Sequence, residues 1–527
     1  MHRGNPYLSK KPDFARLASR FPDFAQYVTV FEEGFASIDF QDPSALRSLT
    51  KCLLKEDWDL DVDLREDRLC PTITNRLDYL LYVLDLEPYL PSSSSSKPIR
   101  VLDIGTGATA IYPILLHRLR PNAKITATEL DQVSHEHSLS VLTQNSIPTS
   151  SIDVLRAPSS GPILFPILDD EVLEWDLTIC NPPFFGSEEE IREGQEGKEL
   201  GAHAAPTAAN NELITPGGEV AFVGKMIEES LKIGERCRWY TSLIGKYASL
   251  SALVELLRQN KIDNYLLKSI KLSKTTRWIL GWSHSSIRIP DVSYSRRVET
   301  LAHLNDFTPL QNIARPEEVI PNTSFSRLIP QPNTFTHKPQ PAIPIEELRQ
   351  KVLNILQSIS LHYEPIDGDE EGNGVIIEPI NNTWSRAARR ALARQVGQPD
   401  EQGEDDKGNE SQKEAQNPMF RVRIRFIPPL TAKDYSSISL DWLEGKDRSL
   451  VESLWKFLLN KAELIGKKDH VDSGYRGRLG DGVDTWHRGR GRGTGRSRGR
   501  GEGVGRDRNE EDSMNEGRRY GQRKRLA

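Results

Sequence analysis

The chain has 527 residues, 37% of them hydrophobic and 27% charged, with a formal net charge of −6. This length accommodates more than one domain together with unstructured segments, and an acidic total does not argue against nucleic-acid binding where basic groups are segregated. Its four cysteines, Cys52, Cys70, Cys180 and Cys237, lie far apart without CxxC spacing; with no long apolar run and no signal-peptide core after Met1, this excludes a disulfide scaffold or membrane-spanning chain and points to an intracellular protein with reduced thiols.

Up to about Leu60 the pattern predicts short helices and turns, made basic by Lys10, Lys11, Arg16 and Arg20. Ile73 to Leu86 reads as an apolar helix leading to a serine-rich turn, Ser92 to Ser96. A hydrophobic strand from Ile99 then runs through Asp103 into Gly105-Thr106-Gly107-Ala108, followed by an apolar helix from Ile111 to Leu119. Glycines at such a turn let a ligand approach the backbone. A second strand, Lys124 to Glu129, ends in an acid roughly 20 residues later, the spacing at which a carboxylate meets ribose hydroxyls in a Rossmann-like sheet. The third glycine of a GxGxxG turn is absent. The shorter Asp-x-Gly-x-Gly form suits S-adenosylmethionine, with Asp103 orienting the backbone or the cofactor amine. Taken alone, the GxG turn fits an ordinary tight turn equally well.

The run Leu177 to Cys180 is an apolar strand that ends in Asn181-Pro182-Pro183-Phe184-Phe185. The Asn181 side-chain oxygen can accept from an amino N–H. Prolines fix the turn and lack N–H donors, leaving the Pro182 carbonyl to accept a second N–H. Phe184 offers a face for stacking a base. Two acceptors and a ring suit methylation of an exocyclic amine, such as adenine N6. Cys180 reads as a packing residue rather than a nucleophile. His135, His137 and His203 have no partners at metal-ligand spacing, so no metal is expected.

Downstream, an amphipathic helix (Phe222 to Leu231), a strand (Arg238 to Leu243), a helix (Leu250 to Gln259) and a strand around Trp278 to Trp282 complete an α/β body. Arg236, Arg238, Lys246, Lys274 and Arg277 lie near element ends, as candidates for an RNA groove or as solvent charges. Residues from about Ile287 to Pro344 are proline- and asparagine-rich with little periodicity, the composition of a linker. A second α+β unit is expected from a helix at Ile345 to Ile359, a strand at Gly374 to Pro379, a basic helix at Trp384 to Ala393, a strand at Phe420 to Phe426 and a helix at Ser449 to Leu464. Strict alternation puts Arg421, Arg423 and Arg425 on one strand face, a row suited to phosphates, with Arg386, Arg389 and Arg390 nearby in sequence. An exposed charged sheet face is the alternative reading. Asp400 to Glu414 is acidic and expected to be disordered. Beyond about Lys467 come Arg-Gly repeats such as Arg488-Gly-Arg-Gly-Arg492, too apolar-poor for a core and suited to nonspecific RNA binding. Arg523-Lys524-Arg525 is a candidate nuclear-import signal, or simply a basic end.

Collinear segments resemble the methyltransferase-like protein 16 family: Lys11-Pro-Asp-Phe-Ala-Arg-Leu-Ala-Ser, Leu53-Leu-Lys-Glu-Asp, Pro71-Thr-Ile-Thr-Asn-Arg76-Leu-Asp-Tyr79, Asp103-Ile-Gly-Thr-Gly-Ala, Asn181 to Phe185, Pro216-Gly-Gly-Glu219, Arg238-Trp-Tyr240 and Thr276-Arg-Trp278. The resemblance runs from near the N-terminus to about Ser283. It implies a seven-stranded Rossmann-like class I methyltransferase fold that uses S-adenosylmethionine to methylate adenine N6 in structured RNA, with U6 small nuclear RNA as the expected partner and the nucleus as the expected location. It further implies that Arg76 reaches the cofactor carboxylate, that Gly105 and Thr109 line the cofactor turn with Asp103 and Gly107, and that Glu129 holds the ribose. Asn181 to Phe184 hold the adenine, with Phe185 in support, and an N-terminal module carrying Lys10 and Lys11 grips RNA. The chain departs from the family at Ala157 to Gly161, where relatives carry a basic, threonine-bearing cofactor loop, and at Glu188-Glu189-Glu190, where relatives carry arginines. The second α+β unit resembles more loosely the RNA-binding region of vertebrate members.

The expected organisation is an N-terminal RNA-gripping module (1–70), a methyltransferase domain (71–285), a proline-rich linker (286–344), an accessory RNA-binding domain (345–466) with its acidic insert, and an Arg-Gly tail (467–527). The residues leave two other readings open: a noncatalytic RNA-binding or assembly protein with this fold, and a protein glutamine methyltransferase.

Overall fold

A computed structural model of the chain describes residues 1–31, 35–90, 97–196, 210–272, 275–291, 324–366, 372–395, 417–429 and 435–464. All belong to one compact unit, Met1–Asp472. The acidic insert, the Arg-Gly tail, the Ser92 to Ser96 turn, His203 and Lys274 lie outside the described residues.

The N-terminal module contains the helices Phe14–Arg20 and Pro43–Trp58, with a small antiparallel pair, β1 (Val28–Val30) and β2 (Ala36–Ile38), between them. Helices and turns alone were expected here; three-residue strands are too short to show alternation. Pro43–Trp58 starts with Pro at its first position behind an Asp42 cap and ends at Asp59 in the left-handed region.

The central sheet has seven strands in the order β5-β4-β3-β6-β7-β9-β8. These are β3 (Arg100–Ile104), β4 (Lys124–Glu129), β5 (Ile152–Arg156), β6 (Trp175–Cys180), β7 (Cys237–Ile244), β8 (Tyr265–Leu272) and β9 (Thr275–Trp282). The first five are parallel; β9 runs antiparallel to both β7 and β8. Val101 enters one apolar cluster and its neighbour Leu102 the other, so both sheet faces are covered. This explains why the apolar residues of β3 and β6 fall on both faces of each strand instead of alternating with polar ones. Helices Ile73–Leu84 and Ile111–Leu119 contribute to the first cluster, Gly218–Ile233 and Tyr247–Gln259 to the second. From β3 the order runs one way to β4 and β5 and the other way to β6 and β7. The carboxyl ends of β3 and β6 therefore flank the switch point, where open α/β sheets bind ligands.

The second sheet is antiparallel, in the order β10-β14-β13-β12-β11: β10 (Thr334–His337), β11 (Tyr363–Pro365), β12 (Gly374–Ile377), β13 (Phe420–Ile427) and β14 (Ser437–Gly445). Helices Ile345–Ser358 and Arg448–Lys461 pack on it through Leu348, Val352, Leu454 and Trp455. The stretch read as a linker from 286 to 344 departs from that expectation. Thr334–His337 is an edge strand of this sheet. The backbone N–H of Arg288 donates to Leu443 O at 2.8 Å, and the Arg288 guanidinium lies 4.2 Å from the Trp442 ring centre. The chain after β9 is thus partly built into the second sheet, whose contacts are too distant in sequence to register as periodicity.

Candidate active site

A cleft of about 500 Å³ opens at the switch point, lined by Arg76, the turn from Gly105 to Thr109, Glu129, Asn181, Pro182 and Pro183. Gly105 and Gly107 have φ of +69° and +70°, a conformation that disfavours a Cβ, and a Cβ at Gly105 would meet nothing within 4 Å. The turn therefore presents bare backbone to an open cleft. Glu129 closes it from the end of β4: Oε2 accepts from Gly107 N–H at 2.8 Å and Oε1 from Asp131 N–H at 2.7 Å. Each carboxylate oxygen has a second lone pair for a ligand hydroxyl. Burial raises the Glu129 carboxyl above its ordinary value, against the pull of those N–H groups. Asp103 is buried beneath the turn, and burial pushes its carboxyl up to about 7.

Arg76 reaches the cleft from the helix Ile73–Leu84. Its Nη1 donates to the Tyr112 hydroxyl at 3.2 Å and the guanidinium lies 5.7 Å from that ring's centre. Thr109 is buried on the cleft wall. The stretch Ala157 to Gly161 also lines the cleft, with serines where a basic loop marks the resembled family.

Asn181 begins the turn after β6. Its Oδ1 is buried and has no hydrogen-bond partner among the described residues. A buried acceptor without a donor is costly unless a ligand supplies one. Pro182 is buried, and Pro183 and Phe184 are half-buried. The Phe184 ring lies against Gly245, with the Arg277 guanidinium 5.4 Å from its centre. Burial lowers the Arg277 pKa from its ordinary value, and Glu219 opposes that shift. Phe185 is fixed through its backbone: its N–H donates to Leu213 O at 3.0 Å, and its carbonyl accepts from Thr215 N–H at 2.9 Å. Lys246 Nζ sits 4.7 Å from the Phe185 ring centre and also contacts Glu190.

Of the basic residues proposed for an RNA groove, the structure brings Lys246 and Arg277 to the site. Arg236 donates to the Ile167 and Asp170 carbonyls, and Arg238 pairs with Glu174 at 3.1 Å. Lys10 and Lys11 are exposed just before the helix Phe14–Arg20, while Arg16 and Arg20 both pair with Glu56 at 2.8 and 2.7 Å. Arg421, Arg423 and Arg425 do share a face of β13, but not as a free phosphate row. Arg423 and Arg425 converge on the buried carboxylate of Asp441 at 2.9 and 2.8 Å, and Arg421 pairs with Glu378 at 2.9 Å. Cys180 is fully buried, and burial pushes its thiol far up, which suits packing and not nucleophilic attack. His135 and His137 bond the carbonyls of Val154 and Ala108 at 3.1 and 2.8 Å. Among the described residues no group of three metal-ligating side chains occurs, and no helix is long and apolar enough to cross a membrane.

The sequence reading gave no role to Glu212, Glu219 or Gly245. Glu212 lines the cleft and its Oε2 accepts from Leu69 N–H at 2.9 Å. Glu219 is buried and holds the N–H groups of Gly245 and Lys246. Of the three, Glu219 carries a sequence signal, standing directly after a glycine pair at a helix start.

Residues 1–286 match the RNA methyltransferase family. The chain is 32% identical over 397 residues to the RNA N(6)-adenosine-methyltransferase mettl16 of Xenopus laevis, covering 74% of this chain and 69% of the relative. It is 32% identical over 419 residues to the U6 small nuclear RNA (adenine-(43)-N(6))-methyltransferase of Schizosaccharomyces pombe, covering 79% of this chain and 92% of the relative. Among solved structures, the human METTL16 catalytic domain in complex with a MAT2A 3′UTR hairpin is 35% identical, with a TM-score of 0.49, over 54% of this chain and 95% of that one. A family match over more than half of the chain and relatives matched over most of their length lead to one assignment: the chain belongs to the RNA methyltransferase family, among the METTL16-type N6-adenosine methyltransferases.

Proposed function

We propose that this protein methylates the N6 amino group of an adenosine in a structured RNA, with U6 small nuclear RNA as its substrate and the nucleus as its place of action. The observation that carries this reading is the buried, partnerless Oδ1 of Asn181 at the carboxyl end of β6, beside the glycine turn of β3. S-adenosylmethionine supplies the electrophilic methyl group when bound.

The chain's own residues fit that cofactor. Arg76 can take its carboxylate, Glu129 its ribose hydroxyls, and the bare Gly105–Gly107 backbone its close approach. Adenine N6 is a weak nucleophile because its lone pair is delocalised into the ring. Asn181 Oδ1 and the Pro182 carbonyl accept its two hydrogens and turn the lone pair out of the ring plane. Phe184 stacks the base, which has to leave its own stack to enter, so an unpaired or bulged adenosine is favoured. The protein's contribution is alignment and electrostatics, and the N6 proton displaced by the methyl group is lost to water. Lys246 and Arg277, beside the Phe185 and Phe184 rings, are the basic groups we assign to RNA phosphates. The Arg-Gly tail adds salt-sensitive affinity without choosing the adenosine.

Mapping N6-methyladenosine by mass spectrometry in cellular RNA, with and without this protein, tests the reading. Loss of one modified adenosine in U6 RNA is expected; an unchanged map contradicts it.

A further inference from the structure

Gly245 directly follows β7, and its φ lies outside the left-handed region, so conformation does not demand glycine there. Space does. A Cβ at this position would fall 2.7 Å from Phe184 Cδ1, 3.0 Å from Cε1 and 3.1 Å from Cγ. The Phe184 ring thus rests directly on the Gly245 backbone. That backbone is fixed from two sides. Its N–H donates to Glu219 Oε2 at 2.6 Å, and the next N–H, of Lys246, donates to Glu219 Oε1 at 2.9 Å. Its carbonyl accepts from Arg277 Nη1 at 3.1 Å. Glu219 itself is 1% exposed at the start of the helix Gly218–Ile233, whose Gly218 packs under the Phe184–Gly186 backbone. Burial raises the Glu219 carboxyl, while Ser249 and the two N–H groups pull it back down.

We infer that Gly245, clamped by Glu219, is the positioning residue of the base site: it sets the depth and tilt of the Phe184 ring and, through the ring, the placement of the target adenine. This rests on the proposed adenine-methylating role of the turn. Neither residue touches substrate. Adding one methyl group forces the ring up by most of an ångström, because ordinary carbon contacts begin near 3.4 Å. A displacement of about 1 Å from the reactive geometry costs roughly 10²-fold in rate. Binding of the cofactor and of the RNA outside the flipped base uses other groups and stays unaffected.

The test uses the full chain, S-adenosylmethionine and a U6-type hairpin RNA, once with its natural adenosine and once with 2-aminopurine at the methylated position. Gly245→Ala is expected to lower kcat about 10²-fold, with KM for RNA within about twofold of wild type and calorimetric affinity for S-adenosylmethionine unchanged. The 2-aminopurine, which lacks the 6-amino group, reports ring stacking alone: in the wild-type complex it is expected to flip onto Phe184 with its emission quenched, and in Gly245→Ala that quenching is expected to weaken. Glu219→Gln keeps the side chain's shape but supplies one acceptor where two N–H groups need them. It is expected to show the same split more weakly, and it covers the case in which Gly245→Ala does not fold. Unaltered kcat and quenching in both variants overturn the inference, as does equal loss of cofactor affinity, which marks general collapse of the site. A wild-type protein that leaves the natural hairpin unmethylated counts against the proposed function itself, and the inference falls with it. Methylation by wild type with unaltered variants counts against the positioning role alone.

Discussion

The Tyr79 hydroxyl accepts a hydrogen bond from the backbone N–H of Cys180 at 3.2 Å, joining the helix that carries Arg76 to the strand end that carries Asn181. The relay continues: Tyr79 donates to Thr241 Oγ1 at 2.8 Å, and Thr241 donates to the Thr178 carbonyl at 2.6 Å. Every member is buried and every polar atom named has a partner, so the network locks the cofactor half to the base half. Tyr79→Phe removes the acceptor for a buried N–H and is expected to cost about 1–3 kcal/mol in stability. Urea unfolding measures the cost. A loss below the error of that measurement contradicts the account.

Arg76 is assigned to the carboxylate of the cofactor. Arg76→Gln should therefore weaken S-adenosylmethionine by about 10- to 100-fold, the worth of a charge-assisted hydrogen bond of roughly 1.5–3 kcal/mol. It should leave 5′-methylthioadenosine, which lacks the amino-acid end, within about twofold. Calorimetry with both ligands decides, and equal losses would refute the assignment.

Asp103 is expected to make cofactor binding depend on pH. Its carboxyl titrates at about 7 in the folded protein because it is buried, against about 3.9 in an unfolded chain. The folded state holds that proton more tightly, so the stability this group contributes is present below about pH 4 and is lost as pH rises through about 7. Cofactor binding is expected to have the opposite slope. A ligand with an ammonium and a sulfonium favours the carboxylate, so affinity rises from pH 6 to pH 8, by at most about tenfold per unit below the titration point. Calorimetry across that range should show the rise in wild type and a flat profile in Asp103→Asn. A flat wild-type profile would exclude this role.

Asp441 lies directly opposite Arg423 in the β13–β14 pairing and takes Arg425 as well. Asp441→Asn should cost about 2–3 kcal/mol, below the usual range for breaking a buried pair because both guanidinia keep about a quarter of their surface in water. Arg423→Ala should lower the melting temperature and leave the salt dependence of RNA binding unchanged. A salt slope reduced by about 1 in that variant would restore Arg423 to phosphate binding.

The parts of the site that the sequence revealed are those whose chemistry is local. The glycine turn at Gly105, the acid at Glu129 and the turn from Asn181 to Phe184 each occupy only a few residues at the end of a strand, where side-chain type and spacing carry the meaning. Glu219 and Gly245 act through an approach between segments far apart in sequence, and nothing near Gly245 in the chain signals that an aromatic ring will rest on it. The same limit applies to the fold. Helix Ile111–Leu119 and strand Lys124–Glu129 fall where apolar periodicity puts them. Thr334–His337, a four-residue edge strand in a proline-rich stretch, is recruited by β14 from more than a hundred residues away. The arginine face of β13 was visible as alternation, but its pairing with Asp441 depends on strand register, which alternation does not reveal.

The most direct test of the central claim is single-turnover transfer of a labelled methyl group from S-adenosylmethionine to a U6-type hairpin RNA by wild type and Asn181→Ala, with the product digested to nucleosides and identified by mass spectrometry. Wild type should yield N6-methyladenosine at one position. Asn181→Ala should be slower by about 10²–10³-fold, the usual loss for removing a preorganised polar group at a reacting centre, with RNA affinity within about twofold. A variant within about tenfold of the wild-type rate, or label appearing in a different nucleoside, would contradict the account.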